Sequence, residues 1–286
     1  FRVIYCLPDK NKNAGGVDLA ERKGVSAMAY SMRLVKQFKN EFDQSIVKDL
    51  QSKKDRFPDC EKLIDKWNSL HVQEQSLPQD LKTLLEIANH ISVANVLLEE
   101  PRAYCELMEY EVPLPGGQEK IDFRLHYKES QINCDVKTIQ PEPKNEWEAY
   151  KAFMQKEYMP ELIDPTPEEE EKRRIMYMPR ALMVDYTVEF ENKMALLEKK
   201  PGLIFVLTFC GDGYDWDSRL LADFAEFYLK GVHNLDDPYA KIGAEYLEKN
   251  KIIFKKNIDY FGYHERQKNN IKYKWYDPSI RRKPGK

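Results

Sequence analysis

Apolar residues recur at helical spacing over several stretches of this chain, and elsewhere they alternate or run unbroken. The change from one period to the next divides the sequence into elements. Val25–Phe42 and Cys60–Leu70 carry the helical period, which predicts a helical region over residues 1–76. Behind Ser76 and Pro78, the positions Leu81, Leu84, Leu85, Ala88, Ile91 and Leu98 predict an amphipathic helix ending near Pro101. A strand is expected at Tyr104–Val112 and a turn at Pro115-Gly116-Gly117. Two segments rich in β-branched and aromatic residues follow, IDFRLHY (121–127) and INCDVKTI (132–139), separated by the polar stretch Lys128–Gln131.

Beyond Pro141 and Pro143, helical character is expected at Trp147–Glu157, a break at Asp164-Pro165-Thr166-Pro167, and a solvated helix start or loop at Glu168–Arg174. Helix is expected again around Asp185–Lys199. Leu203–Phe209 is a continuous apolar run bounded by Pro201-Gly202 and Gly211, as suits a strand buried on both faces. A helix at Asp217–Lys230 completes an α/β core over residues 77–230, with Asp217 expected as its cap. The order in that core is helix, three-strand meander, helix, strand, helix.

The hairpin predicted over 121–139 concentrates the chemistry. A connecting loop centred on Glu129–Ser130 would set Asp122 opposite Lys137 and Arg124 opposite Asp135, all four on one sheet face. Two carboxylates and an ammonium in one small area are what a divalent metal and a phosphate together require. His126 shares that face and is a further candidate phosphate contact, alongside Arg124.

An Asp, a dozen residues, and then Asp-x-Lys on the next strand resembles the PD-(D/E)xK nuclease superfamily, and the elements follow in that family's order. The resemblance covers roughly residues 77–230. It implies a restriction-endonuclease-like α/β core that hydrolyses phosphodiester bonds, with DNA as the expected nucleic acid and Mg²⁺, or Mn²⁺ as a substitute, as the cofactor. Asp122 and Asp135 would hold the metal, joined by the backbone carbonyl of Val136, and Lys137 would stand beside the attacking water. The family adds a glutamate from the helix before the sheet. Glu86 has the right distance in sequence but lies off the apolar face, whereas Glu99 lies near the buried stripe but close to the helix end; Glu86 is preferred. Two departures stand out: Ile121 replaces the family's proline before the first Asp, and Asp135 occupies a position where Glu is commoner. A scaffold or nucleic-acid-binding protein of the same fold, without turnover, is the alternative. Enzymes of the restriction type often pair, so a homodimer is an expectation by analogy.

Composition adds limits and one asymmetry. With 42% hydrophobic and 33% charged residues over 286 positions, the chain is globular. Five dispersed cysteines without a C-x-x-C pair predict reduced thiols. The longest apolar stretch is too short to span a bilayer, and no basic-then-apolar leader opens the sequence, so the expected setting is cytoplasmic with no membrane partner. No zinc spacing occurs among the five histidines, and there is no phosphate-binding P-loop and no Gly-x-Ser-x-Gly elbow. The acids of Gly211–Asp217 lack the loop pattern of a calcium-binding hand. The net charge of −3 conceals eleven Lys or Arg against three Asp or Glu from Lys251 to Lys286. Residues 231–286 therefore read as a basic extension. Its Tyr260, Tyr263, Tyr273, Trp275 and Tyr276 are candidates either for stacking on bases or for ordinary packing.

Overall fold

The computed structural model describes residues 27–72, 77–99, 105–139, 179–211, 218–230, 238–267 and 270–277. The expected helix at Trp147–Glu157, the break at Asp164–Pro167, the charge run Glu168–Arg174 and the acids of the Asp212–Asp217 loop lie outside them. The described elements are α1 (Ala27–Phe42), a π-helical turn (Asp43–Val47), α2 (Lys48–Ser52), α3 (Asp59–Ser69), α4 (Leu77–Glu99), α5 (Pro179–Met194), α6 (Ser218–Lys230) and α7 (Pro238–Asn250). The strands are β1 (Leu107–Pro113), β2 (Lys120–His126), β3 (Gln131–Thr138), β4 (Leu203–Gly211), β5 (Tyr260–Gln267) and β6 (Asn270–Tyr276).

These six strands form one mixed sheet in sequential order. β1, β2 and β3 make an antiparallel meander, β4 runs parallel to both β3 and β5, and β6 returns antiparallel at the edge. Because β4 sits centrally with neighbours on both edges and helices over both faces, it has no polar side, as its unbroken apolar run predicts. Period two then sorts the strand residues. Cys134, Val136, Val206 and Cys210 pack with α1, α2, α3 and α4, around Phe42, Leu50, Trp67 and Leu84. Phe205, Leu207, Phe209, Phe261 and Tyr263 pack with α5 and α6, around Met183, Phe190, Phe224 and Tyr228. The result is helix, sheet, helix in three layers.

The π-helical turn joins α1 to α2 with helical backbone at both junctions. Widening a turn disturbs the regular ladder of carbonyl bonds, and Asn95 of α4 donates its Nδ2 to the Ile46 carbonyl at 2.9 Å, burying both groups satisfied.

Two turns set the meander. Gly116 and Gly117 both have positive φ (96° and 74°), a pair of conformations open to glycine and strained for other residues. Between β2 and β3 the chain reverses over only Lys128 and Glu129, since Tyr127 and Ser130 exchange both backbone bonds. The turn is thus centred one residue earlier than the expected Glu129–Ser130, and the pairing shifts by two. Arg124 lies opposite Asn133, not Asp135, and one further step places Asp122 opposite Asp135, not Lys137. A two-residue shift leaves every side chain on its expected face.

Residues 260–276, expected as part of an extension outside the core, instead supply the last two strands. Their aromatics pack: Tyr263 is fully buried, Tyr260, Tyr273 and Trp275 lean on the first core cluster, and the Tyr276 hydroxyl donates to the Ser218 carbonyl at 2.8 Å. Ordinary packing, one of the two roles considered for them, is what these contacts show. The physical reason is β4, whose second edge needs a hydrogen-bonded neighbour that β5 provides.

One crossing in this region depends on a missing side chain. Tyr273 of β6 reaches over Gly262 of β5 to Thr208 of β4, with the two hydroxyls 2.9 Å apart, and a Cβ on Gly262 would collide with both. Gly262→Ala is expected to cost about 1–3 kcal/mol, the range for overpacking a filled core. The cost should be smaller in a Tyr273→Phe background, where one of the colliding oxygens is gone. Denaturant unfolding of the four proteins checks this, and equal costs in both backgrounds would refute the steric account.

Candidate active site at the end of the second and third strands

The backbone ladder between β2 and β3 stops at Phe123 opposite Cys134. At the next step two side chains take its place. The Asp122 N–H donates to Asp135 Oδ1 at 3.1 Å, and the Val136 N–H donates to Asp122 Oδ2 at 2.7 Å. Each carboxylate is thereby locked to the other's strand, which fixes both acids beside each other. The contact that Val136 makes here is through its amide N–H, toward Asp122.

α5 crosses this end of the sheet from one side. Tyr186, Glu189 and Lys193 are spaced i, i+3 and i+7 and so share a helix face. Lys193 Nζ lies 3.0 Å from Asp135 Oδ2 and 3.1 Å from Glu189 Oε1; Lys137 Nζ lies 2.8 Å from the same Glu189 oxygen and 3.8 Å from Asp135 Oδ2. The Tyr186 ring faces Lys137 Nζ at 5.3 Å. Two ammoniums therefore share two carboxylates, one wholly buried in Asp135 and one half-exposed in Glu189.

α4 reaches the site from the other side. His90 Nε2 is 3.7 Å from Asp122 Oδ2, and its Nδ1 is 3.2 Å from the Tyr110 hydroxyl. Burial and the Asp122 charge keep that phenol protonated, which lets it donate to Nδ1 when the imidazole carries its proton on Nε2, facing the acid. Asn89, one residue before, donates to the Thr138 hydroxyl at 2.8 Å and ties α4 to the end of β3.

Of the two glutamates considered, Glu86 is the one at this end. Burial raises its pKa, Lys82, His90 and Lys137 oppose that, and Asp122 adds to it. Glu99, thirteen residues on and about 20 Å along the helix axis, is exposed and paired with Lys53 at 3.0 Å. Arg124 and His126 project from the same strand as Asp122 but engage a separate polar group. Arg124 Nε donates to Asn133 Oδ1 at 3.1 Å, and His126 Nε2 sits 2.7 Å from Glu109 Oε2.

The electrostatics follow from burial. Desolvation pushes the Asp135 carboxyl up to about 6; the like charge of Asp122 pushes the same way, and Lys137 and Lys193 hold it back. Burial alone would lower the Lys193 ammonium, but Asp135 and Glu189 outweigh it and raise its pKa. Burial likewise works against the Glu189 carboxylate, yet Lys137 and Lys193 bring it below the usual range.

Hard carboxylate oxygens brought together in a place where like charges resist ionisation are the donor set that suits a hard divalent cation, so Asp122 and Asp135 fit the chemistry of Mg²⁺. Among the described residues no group of three or more His, Cys, Asp or Glu stands ready as a metal cage, and Asp135 Oδ2 carries Lys193. The four described cysteines, Cys60, Cys105, Cys134 and Cys210, are buried and form no disulfide, and Cys134 adjoins Asp135 in β3. No helix among the described residues is long and apolar enough to cross a membrane.

His90, Glu189 and Lys193 escaped the sequence reading. Glu189-x-x-x-Lys193 is a visible i, i+4 pair, but its importance depends on which face α5 turns toward β3, and period alone leaves that open. Compared with known proteins, the chain matches no family model, no curated protein and no solved structure.

The raised Asp135 pKa has a sign for stability. Folded protein binds more protons than unfolded between the ordinary carboxyl value of 3.8 and about 6, so stability falls as pH rises through that window and is level above it. Asp135→Asn should flatten the fall. The check is urea unfolding at a series of pH values without divalent ions; a wild-type-minus-variant difference that does not vary over that range would contradict the assignment.

Proposed function

We propose that the protein is a metal-dependent phosphodiester hydrolase of the nuclease type, with DNA as the expected substrate. The observation that carries this reading is the convergence of Asp122 and Asp135 at the end of two strands, each carboxylate bonded to a backbone N–H of the other's strand, with Lys137 Nζ 3.8 Å from the buried acid. The order of elements supports it, since a helix, an antiparallel meander, a helix, a parallel strand and a helix follow in sequence from α4 to α6, the order of the restriction-endonuclease-like core that the Asp and Asp-x-Lys pattern resembles.

In this reading Asp122 and Asp135 hold Mg²⁺, with Glu86 turned toward the same end of the sheet. The chemistry such an ion supplies when bound is a more acidic water and a partner for charge on the phosphoryl oxygens. Lys137, held in place by Glu189, orients the attacking water and offsets negative charge that develops on the phosphate. His90 steadies Asp122 from behind through the hydrogen bond of its other nitrogen to Tyr110. Arg124 and His126, farther along β2, suit contact with the backbone of a nucleic acid that runs past the site.

A second reading has one observation in its favour. Asp135 is fully buried and satisfied by a backbone N–H and an ammonium, as in an ion network that only holds a fold together. Incubating plasmid, linear and single-stranded DNA, and RNA, with Mg²⁺ or Mn²⁺ separates the two. Wild type is expected to cleave at least one of these. Lys137→Ala should lose about a hundredfold or more of the rate while binding the substrate within a fewfold of wild type. Binding without cleavage by the wild type would select the scaffold instead.

A further inference from the structure

We propose that Lys193 is the built-in counter-ion of Asp135, a side chain that a divalent cation displaces onto Glu189, so that α5 sets how tightly the site takes up its metal. The inference rests on the metal-site reading above and goes beyond it by assigning a role to two residues of α5. Lys193 Nζ stands between two carboxylates, 3.0 Å from Asp135 Oδ2 and 3.1 Å from Glu189 Oε1. The second of these is four residues earlier on the same helix, so Lys193 can pair wholly with Glu189 by rotating its own side chain. Asp135 cannot follow it, because its carboxylate is buried and one oxygen is fixed by the Asp122 N–H.

Without an ion of its own, the site places two acids side by side in a largely dry place, and a counter-charge there offsets their repulsion. An ammonium and a divalent cation on the same carboxylate oxygen repel at close range. Uptake of the ion therefore favours the departure of Lys193. Glu189 is suited to receive it: half-exposed, it already accepts from Lys137 at 2.8 Å, and solvent on its open side lets it adjust. Lys137 differs from Lys193 in that its closer partner is Glu189 and not Asp135, so it can stay in place during the exchange. Lys193 is a positioning residue on this account, acting through Asp135.

The test measures Mn²⁺ uptake by the full chain with titration calorimetry and electron paramagnetic resonance, for wild type, Lys193→Gln, Glu189→Gln and Asp135→Asn. Lys193→Gln should bind about tenfold more tightly and Glu189→Gln about tenfold more weakly, the size expected when one close charge pair is lost. Asp135→Asn should not bind. A purely structural ion network predicts no Asp135-dependent uptake in any of these proteins, so uptake itself discriminates. Without metal, Lys193→Gln should melt below wild type, and Mn²⁺ should raise its melting temperature more than that of wild type. Uptake by wild type with equal or weaker affinity in Lys193→Gln would overturn this proposal and leave the metal site standing. No uptake by any of the four proteins, or undiminished uptake by Asp135→Asn, would overturn both. If Lys193→Gln does not fold, Glu189→Gln decides alone, and an affinity equal to or above that of wild type refutes the exchange.

Discussion

Two hydrogen bonds at the end of one strand pair govern this molecule. Where β2 and β3 would continue their ladder, the carboxylates of Asp122 and Asp135 each take a backbone N–H from the facing strand. Backbone N–H groups leaving a ladder inside a protein must find an acceptor, and here the acceptors are the two carboxylates themselves. The same bonds that end the pairing also hold both acids in one orientation and set them against each other. A carboxylate used in this way cannot swing out to solvent to relieve repulsion. Its neighbours have to supply positive charge, and Lys193 of α5 does so, while His90 of α4 stands beside Asp122 from the opposite layer.

That demand explains why the site is built from three layers and not from the sheet alone. Burial raises the Asp135 pKa, which is a cost to folding at neutral pH, and ammoniums from β3 and α5 reduce it. The core that surrounds the site is correspondingly large. The tilted rings of Phe42 and Trp67 meet at 4.7 Å on one side, and on the other Phe261 packs against Phe224 at 5.7 Å and Tyr228 at 5.2 Å. Such clusters hold a crowded polar arrangement in place because moving the acids apart would mean moving whole elements.

Much of this was legible in the chain. β4 declared itself through Leu203–Phe209, and α4 through Leu81, Leu84, Leu85 and Ala88, because burial on two faces or on one stripe imposes a composition that local sequence reveals. The shared face of Asp122, Asp135 and Lys137 was legible too, since alternation depends only on parity. The register was not, because Lys128–Glu129 and Glu129–Ser130 are both two-residue turns in a polar stretch, and the exchange of bonds between Tyr127 and Ser130 that chooses between them has no marker residue. β5 and β6 were missed for another reason. Their lysines and tyrosines alternate along an edge, with Lys272 and Lys274 exposed and Tyr273 turned inward, so an average over the segment reads as basic and aromatic instead of as a strand.

The pieces that escaped the sequence share one property: each acquires meaning only from a partner far along the chain. Glu189 and Lys193 are an ordinary helical ion pair until β3, more than fifty residues earlier, brings Asp135 and Lys137 beneath them. His90 is an ordinary helix residue until Tyr110 and Asp122 close around it. Gly262 is an unremarked glycine in a strand until Tyr273 must cross it to meet Thr208. Local patterning specifies which segments become strands and helices, whereas charge balance in a buried site is a property of the assembled layers. A carboxylate pair therefore marks where such a site lies, and the cations that make it tenable are chosen by whichever helices the topology lays across it.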